Sequence, residues 1–212
     1  MGSLTGKRAV VTAGAHAAGL TAALRAHGAD VERLATPDAL EGIDILVTCP
    51  SPATQQPGGD FDTILADVAS AERWTTAAGR SMHARNGGVI VHTTGLSGLG
   101  GWPGWQASGA AFAAIHTLVR SHAVALAPQG VRINALVPGV DAELASTIAR
   151  AEGLSLDTVR ARIPSGRFMD ADALANALVY LVHESAGYVT GEVLAVDGGW
   201  DIWGRLHAVA PK

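Results

Sequence analysis

Short runs of β-branched and aliphatic residues alternate with longer helix-patterned stretches along the whole chain, and this constrains the fold more than any other feature. The runs are "KRAVVT" (7–12), "ADVERL" (29–34), "GIDILVTC" (42–49), "GGVIVHTT" (87–94), "VRINALVPG" (131–139) and "GEVLAVDGG" (191–199). Between them the pattern predicts a helix over about 17–27 closed by Gly28, and another from about Asp60 to Arg85. A long helix ends near Ala127, a polar helical stretch covers 142–162, and a helix "DADALANALVYLV" opens on Asp170 or Asp172. Continuous apolar strands are buried on both faces, and strands that alternate with helices form a parallel sheet with helices on each side. The expected fold is therefore α/β, a Rossmann-like doubly wound parallel sheet in one domain spanning 1–212.

Composition narrows the function. Charged residues are only 16% of the chain and the net charge is −4, with no basic stripe for a phosphate backbone, so nucleic acid is not an expected partner. Cys49 is the only cysteine, which rules out an internal disulfide and fits a reducing, cytoplasmic setting. The N-terminal residues show no apolar signal region, and no uninterrupted apolar run approaches the ~18 residues of a membrane span. The eight histidines form no i,i+4 pair and have no cysteine beside them, so no metal site is expected.

The second half carries a resemblance. "SHAVALAPQGVRINALVPG" and "DALANALVYLVHESAGYVTGEVLAVDGGW" look like the short-chain dehydrogenase/reductase family. In that family a helix ends in Ala-Pro-x-Gly, the next strand reads Ile-Arg-Val-Asn and ends in Pro-Gly, and the last strand ends in Val-Asp-Gly-Gly. Here these are Ala127–Gly130, Val131–Asn134 with Pro138–Gly139, and Thr190–Gly199. The resemblance implies a fold that binds NAD(P) through a Thr-Gly-x-x-x-Gly-x-Gly turn. It also implies a carbonyl/alcohol reaction run by an Asn-Ser-Tyr-Lys set.

The chain departs from that pattern at several points. In the turn that starts at Thr12, the first family glycine falls on Ala13 and the second on Ala17; Gly19 matches, and Gly14 is the other glycine present. Two added methyls are expected to narrow the pyrophosphate cradle, although a helix N-terminus still favours an anion. The family Tyr falls on Ser108, the Lys on Phe112, the Ser on Gly95 after Thr93 and Thr94, and the Asn near Ala69. The Asn-Asn-Ala-Gly loop falls on Thr48-Cys49-Pro50-Ser51. A serine hydroxyl without a neighbouring ammonium lacks the acidity of the family's phenol. Only the eight residues "ATPDALEG" separate Leu34 from Ile43. A βαβ crossover takes at least ~10–12 residues, so the family's adenine-contacting strand and its helices are missing and the fold is shortened in its adenosine-binding half. Asp38 and Glu41 are acidic there by type alone. The expectation is that no cofactor is bound and that Thr12, Gly14 and Gly19 are vestigial.

The retained half includes the segments through which the family assembles: two long central helices, the last helix and the last strand. The helix from about Ser108 to Leu126 is apolar on two faces; one would meet the sheet and the other a partner. Trp102 and Trp105 sit in the loop where the family faces substrate, and Trp200 and Trp203 follow the last strand. These four are candidate ligand or interface residues, or core packing. Candidate catalytic groups are Thr94, Ser108, His92 and Asp141, with His92 equally a structural histidine and Asp141 equally a loop cap. His16 is a candidate anion contact or a surface histidine, and Cys49 a small buried apolar residue. The leading expectation is a non-catalytic subunit that assembles with itself or with an intact family member. The alternatives are a cofactor-independent enzyme or binder of small hydrophobic ligands in the vacated pocket, and an atypical NAD(P)-dependent oxidoreductase.

Overall fold

The computed structural model describes residues 3–85 and 87–203. Six parallel strands form one sheet in the order β2-β1-β3-β4-β5-β6. They are β1 (Arg8–Thr12), β2 (Asp30–Leu34), β3 (Ile45–Thr48), β4 (Gly88–Thr93), β5 (Val131–Pro138) and β6 (Val193–Val196). The helices are α1 (Ala17–Ala26), α2 (Phe61–His83), α3 (Gln106–Leu126), α4 (Ala142–Glu152), α5 (Leu156–Ala161), α6 (Ala171–Val182) and the single turn α7 (Trp200–Trp203). The predicted 142–162 stretch is thus two helices, because Gly153 takes a left-handed conformation (φ 66°) and ends α4. Asp170, not Asp172, caps α6 by accepting the Ala173 N–H at 2.8 Å.

Strand alternation sorts the core into two layers. Ala9, Val11, Val31, Ile45, Val47, Val89 and Val91 meet α1 and α6 through Leu20, Leu24, Leu174 and Leu178. Val10, Leu46, Ile90 and Ile133 meet α2 and α3 through Trp74, Met82, Phe112 and Val119. The second apolar face of α3 therefore packs against α2 of the same chain rather than needing a partner. Glu72 on α2 and His122 on α3 bridge the pair at 2.7 Å. By length and composition α3 is apolar enough to cross a membrane, contrary to the sequence expectation. Here it carries buried Ser108 and His116 and lies between sheet and helix, as a core helix does.

The shortened half closes in a specific way. Ten residues, 35–44, carry the chain from the end of β2 back to the start of β3, crossing β1. A 3-10 turn at Pro37–Ala39 takes the place of a crossover helix. Leu40 and Ile43 from this link fill the layer over Val10. β2 becomes the edge strand, and Asp30, Glu32 and Arg33 are exposed on it, which discourages pairing with another chain. At the other side, the Arg-Ile-Asn motif ties β5 to the approach to β6. Arg132 and Asn134 both donate to Val189 O, and Asn134 Oδ1 accepts the Glu192 N–H at 3.0 Å.

Candidate functional site

The carboxyl ends of the strands converge on the β1–α1 turn. Thr12 Oγ1 accepts the Cys49 N–H at 2.9 Å, and Ala15 N donates to Pro50 O at 2.9 Å. The loop after β3 lies so close that a Cβ on Gly14 (φ 148°) would sit 2.4 Å from Pro50 O. Gly14 is therefore required here by both backbone conformation and space. His16 is the N-cap of α1, at φ 63°, and no side chain caps that helix or places an acid in its first turn. The Ala17 N–H goes to Gly14 O at 3.3 Å, while Ala18 and Gly19 are exposed at the helix start, where an anion would be met. The Ala17 methyl is fully buried in the α1–sheet core, whereas Ala13 is exposed. Ala17 thus turns its methyl into the core, whereas Ala13 borders the second cavity described below, so one methyl and not two can narrow the cradle.

A cavity of about 240 Å³ opens beside this turn, lined by His16, Gln55, Gly95, Gly139, Asp141 and Thr147 among others. His16 Nδ1 stands 4.0 Å from Asp141 Oδ2. Burial pulls the His16 pKa below its ordinary value, opposed by the nearby Asp141 and Glu143 charges. Asp141 is also the N-cap of α4, accepting the Leu144 N–H at 2.8 Å.

The remaining sequence candidates do not share this cavity. His92 is buried between α2 and β3. Its Nδ1 lies 2.5 Å from Thr48 Oγ1 and its Nε2 2.8 Å from Thr75 Oγ1. Thr75 donates its own proton to Ala71 O, so His92 donates from Nε2 and accepts at Nδ1. Desolvation lowers its pKa to about 4, which keeps it neutral. Thr94 Oγ1 pairs with His116 Nε2 at 2.9 Å, a partner the sequence did not indicate, and burial also lowers His116 to about 4. Ser108 is 1% exposed and its hydroxyl has no partner among the described residues. Phe112, also 1% exposed, lies against Gly95 and Gly98. The described tyrosines, Tyr180 and Tyr188, are exposed on α6 and just beyond it, and the one described lysine, Lys7, precedes β1 at the opposite edge of the sheet. Cys49 has its thiol pushed up to about 11 by burial.

Three of the four candidate tryptophans form one group. Trp102 meets Trp105 edge-on at 5.8 Å and Trp200 at a tilt at 5.5 Å. Trp200 packs with Leu96, Val137 and Ile148, so the group closes the core around α4 and α5. Trp203, the fourth candidate, is half exposed at the end of α7. Among the described residues no group of three His, Cys, Asp or Glu is placed to hold a metal ion.

A second cavity, of about 210 Å³, lies at the ends of β1, β2 and β3 on the α2 side. Thr12, Ala35, Ser51, Asp67, Ser70 and Trp74 line it. Ser51 donates its N–H (2.9 Å) and hydroxyl (3.0 Å) to Asp67 Oδ2, and Thr54 donates to the same oxygen. Sequence reading missed Asp67, because nothing local marks one acidic position on an exposed helix face as turned toward a strand end.

Residues 17–201 match the family model for enoyl-(acyl carrier protein) reductase, and the chain belongs to the short-chain dehydrogenase/reductase family. Galactitol 2-dehydrogenase (L-tagatose-forming) of Cereibacter sphaeroides is 38% identical over 133 residues, covering 61% of this chain and 52% of that protein. The chain therefore spans about half the length of that curated relative. A putative NAD(P)-dependent gluconate 5-dehydrogenase from Beutenbergia cavernae, solved with bound NADP, superposes with a TM-score of 0.78 at 25% identity, over 93% of this chain and 98% of that one. A gluconate 5-dehydrogenase from Burkholderia cenocepacia, in complex with NADP and tartrate, gives 0.79 at 22% identity, covering 93% and 96%.

These relatives overturn the expectation of no cofactor and point to a nucleotide. The physical reason lies in the turn and the two cavities. Ala17 turns its methyl inward, α1 keeps an uncapped N-terminus, and a hydroxyl-lined space persists where the adenosine pocket was expected to be lost. Of the three turn residues, Thr12 and Gly14 are tied to the loop after β3, and Gly19 is exposed at the start of α1, where a phosphate would be met.

Proposed function

We propose that this chain is a subunit of the short-chain dehydrogenase/reductase family that retains the nucleotide crevice but not the proton-transfer pair, and that it works in assembly with itself or an intact family member. One observation supports this reading: Ser108 and Phe112, on which the resemblance places the family's Tyr and Lys, are both sealed in the core. Ser108 has neither a phenol's acidity nor a hydrogen-bond partner among the described residues, and Phe112 has no donor for a ribose. A bound nicotinamide dinucleotide supplies a hydride donor or acceptor. In this chain the exposed start of α1 would receive its phosphates, and the cavity lined by His16, Gly95, Pro138, Gly139 and Asp141 would hold the rest. Exposed Phe61 and Leu65 on α2 and Val124 on α3 support assembly, since these are the long central helices through which the family associates.

The test is a titration with NADH and NADPH followed by isothermal calorimetry, joined to a turnover assay with polyols and sugar acids. Binding without turnover is expected. Steady turnover near ~1 s⁻¹ or faster, in the ordinary range for enzymes, overturns the non-catalytic reading.

The His16–Asp141 pair favours a second reading, an atypical oxidoreductase. It is the one histidine–carboxylate pair on the cavity wall, and a neutral histidine suits a proton acceptor. On that reading turnover is present and His16→Ala abolishes it even at saturating nucleotide.

A further inference from the structure

A third cavity, of about 400 Å³, lies at the amino ends of β1, β3, β4 and β5, at the opposite edge of the sheet from the two described above. It shares no lining residue with either. Its charged lining is Lys7, Asp44, Arg85, Arg132 and Glu184, with His183 among them. Asp44 and Arg85 pair at 3.3 Å, and Asp44 Oδ2 also accepts the Arg8 N–H at 2.8 Å. The other two cations have no carboxylate: Lys7 and Arg132 form no ion pair with any described residue. The Arg132 guanidinium is partly buried and donates only to carbonyls, Val189 O at 3.2 Å and His183 O at 3.3 Å. Three of its five N–H donors bond no described residue. Burial also pulls its pKa below the ordinary arginine value. A desolvated cation without a counter-charge is costly, and an anion in the cavity offsets that cost. His183 Nδ1 accepts the Ser185 N–H at 3.1 Å, so the ring proton sits on Nε2, a second donor with no described partner.

The spacing of these groups sets the shape of the ligand. Sheet order β1-β3-β4-β5, at ~4.8 Å per strand, puts the amino ends of β1 and β5 about 14 Å apart. A single small ion on Arg132 therefore leaves the cation beside β1 unmatched. We propose that this cavity is a ligand site, separate from the nucleotide crevice, for a small molecule with an oxyanion group at each end, one received by Arg132 and His183 and the other by Lys7. The planar guanidinium fork suits phosphate or carboxylate, and the flexible lysine follows the second group as a point charge. Glu184 opposes such a ligand, but it is exposed and its charge is screened by water. General attraction does not supply the binding, because the chain's net charge is −4.

Calorimetry with fructose 1,6-bisphosphate, citrate and inorganic phosphate, at constant ionic strength, tests the proposal on the full chain. At least one of the two-ended probes is expected to bind about tenfold or more tighter than inorganic phosphate, since its second contact is intramolecular. Which of the two does so assigns the ends as phosphate or carboxylate. Lys7→Ala, at an exposed side chain, is expected to weaken that probe about tenfold toward the inorganic phosphate value, and Glu184→Gln to tighten it. Arg132→Gln is expected to weaken all the probes that bind, with a melting curve to report whether the variant is folded. NADH at saturating concentration is expected to leave the probe's Kd unchanged. The proposal is overturned if no probe binds, if neither two-ended probe exceeds inorganic phosphate, or if folded Lys7→Ala binds as the unaltered protein does. Displacement of the probe by NADH would also overturn it, by placing the probe in the crevice.

Discussion

A methyl group built on Gly95 would lie 2.5 Å from Phe112 Cε2, and one on Gly98 would lie 2.4 Å from Phe112 Cβ. Phe112 thus fills the space that the two glycines leave, and the residues act as a unit. Phe112→Ala is expected to cost about 3–5 kcal/mol, as large buried aromatics do. Gly95→Ala is expected to cost about 1–3 kcal/mol by overpacking, but little in a Phe112→Ala background. Denaturant midpoints of the two single variants and the double variant measure this; strict additivity would refute it. The buried histidines make a separate statement about pH. His92 and His116 have folded pKa values near 4 against an ordinary 6.5, so between those values the unfolded chain binds protons that the folded chain refuses. The stability they contribute is complete above about pH 6.5 and lost as the pH falls toward 4, on the order of 3 kcal/mol for fully buried His92. Urea midpoints at pH 7 and pH 5 are expected to show the drop, and His92→Gln to flatten it.

Among the elements, the crossover at 35–44 is the least ordinary. A helix in that position would bury a whole stripe of side chains on β1; this link relies on Leu40 and Ile43. Ile43 is fully buried, so Ile43→Ala is expected to cost about 2–4 kcal/mol. β2 pairs only with β1, so its outward amides are expected to exchange with solvent well before those of β3, β4 and β5. Hydrogen-exchange mass spectrometry on peptides covering 30–34 and 45–48 distinguishes the two; equal protection would mean that something covers the edge. The α2–α3 pair contributes at the same scale, because it supplies both the second layer of the core and the Asp67 wall of the cavity.

For the whole molecule, the open question is what meets the apolar side chains on its surface. Val124 is 80% exposed on α3, next to buried Ala123. In the proposed assembly it lies in a helix interface. Val124→Asp is then expected to shift the protein toward the monomer in analytical ultracentrifugation, with its melting point nearly unchanged. A wild-type chain that sediments as a monomer at micromolar concentration would count against self-assembly. Co-expression with an intact family member, read by native mass spectrometry, separates a mixed assembly from a homomeric one.

Element order, strand burial and the gap after β2 were legible along the chain, because hydrophobic periodicity and loop length are local quantities. The same holds for Ser108 and Phe112, since no Tyr or Lys lies anywhere between Arg85 and Arg120. The direction of the Ala17 methyl was not legible: a residue that reads as part of a phosphate turn is also the first residue of a helix whose inner face is core. Asp67 gave no sign either, because its meaning depends on loop residues 51–54 and on a strand end that only the folded sheet brings beside α2. The sequence by itself determined the sheet and the short link between β2 and β3. Tertiary structure alone decided that two cavities open at the carboxyl ends of the strands, because the open space at a strand end depends on which side chains the packing turns inward.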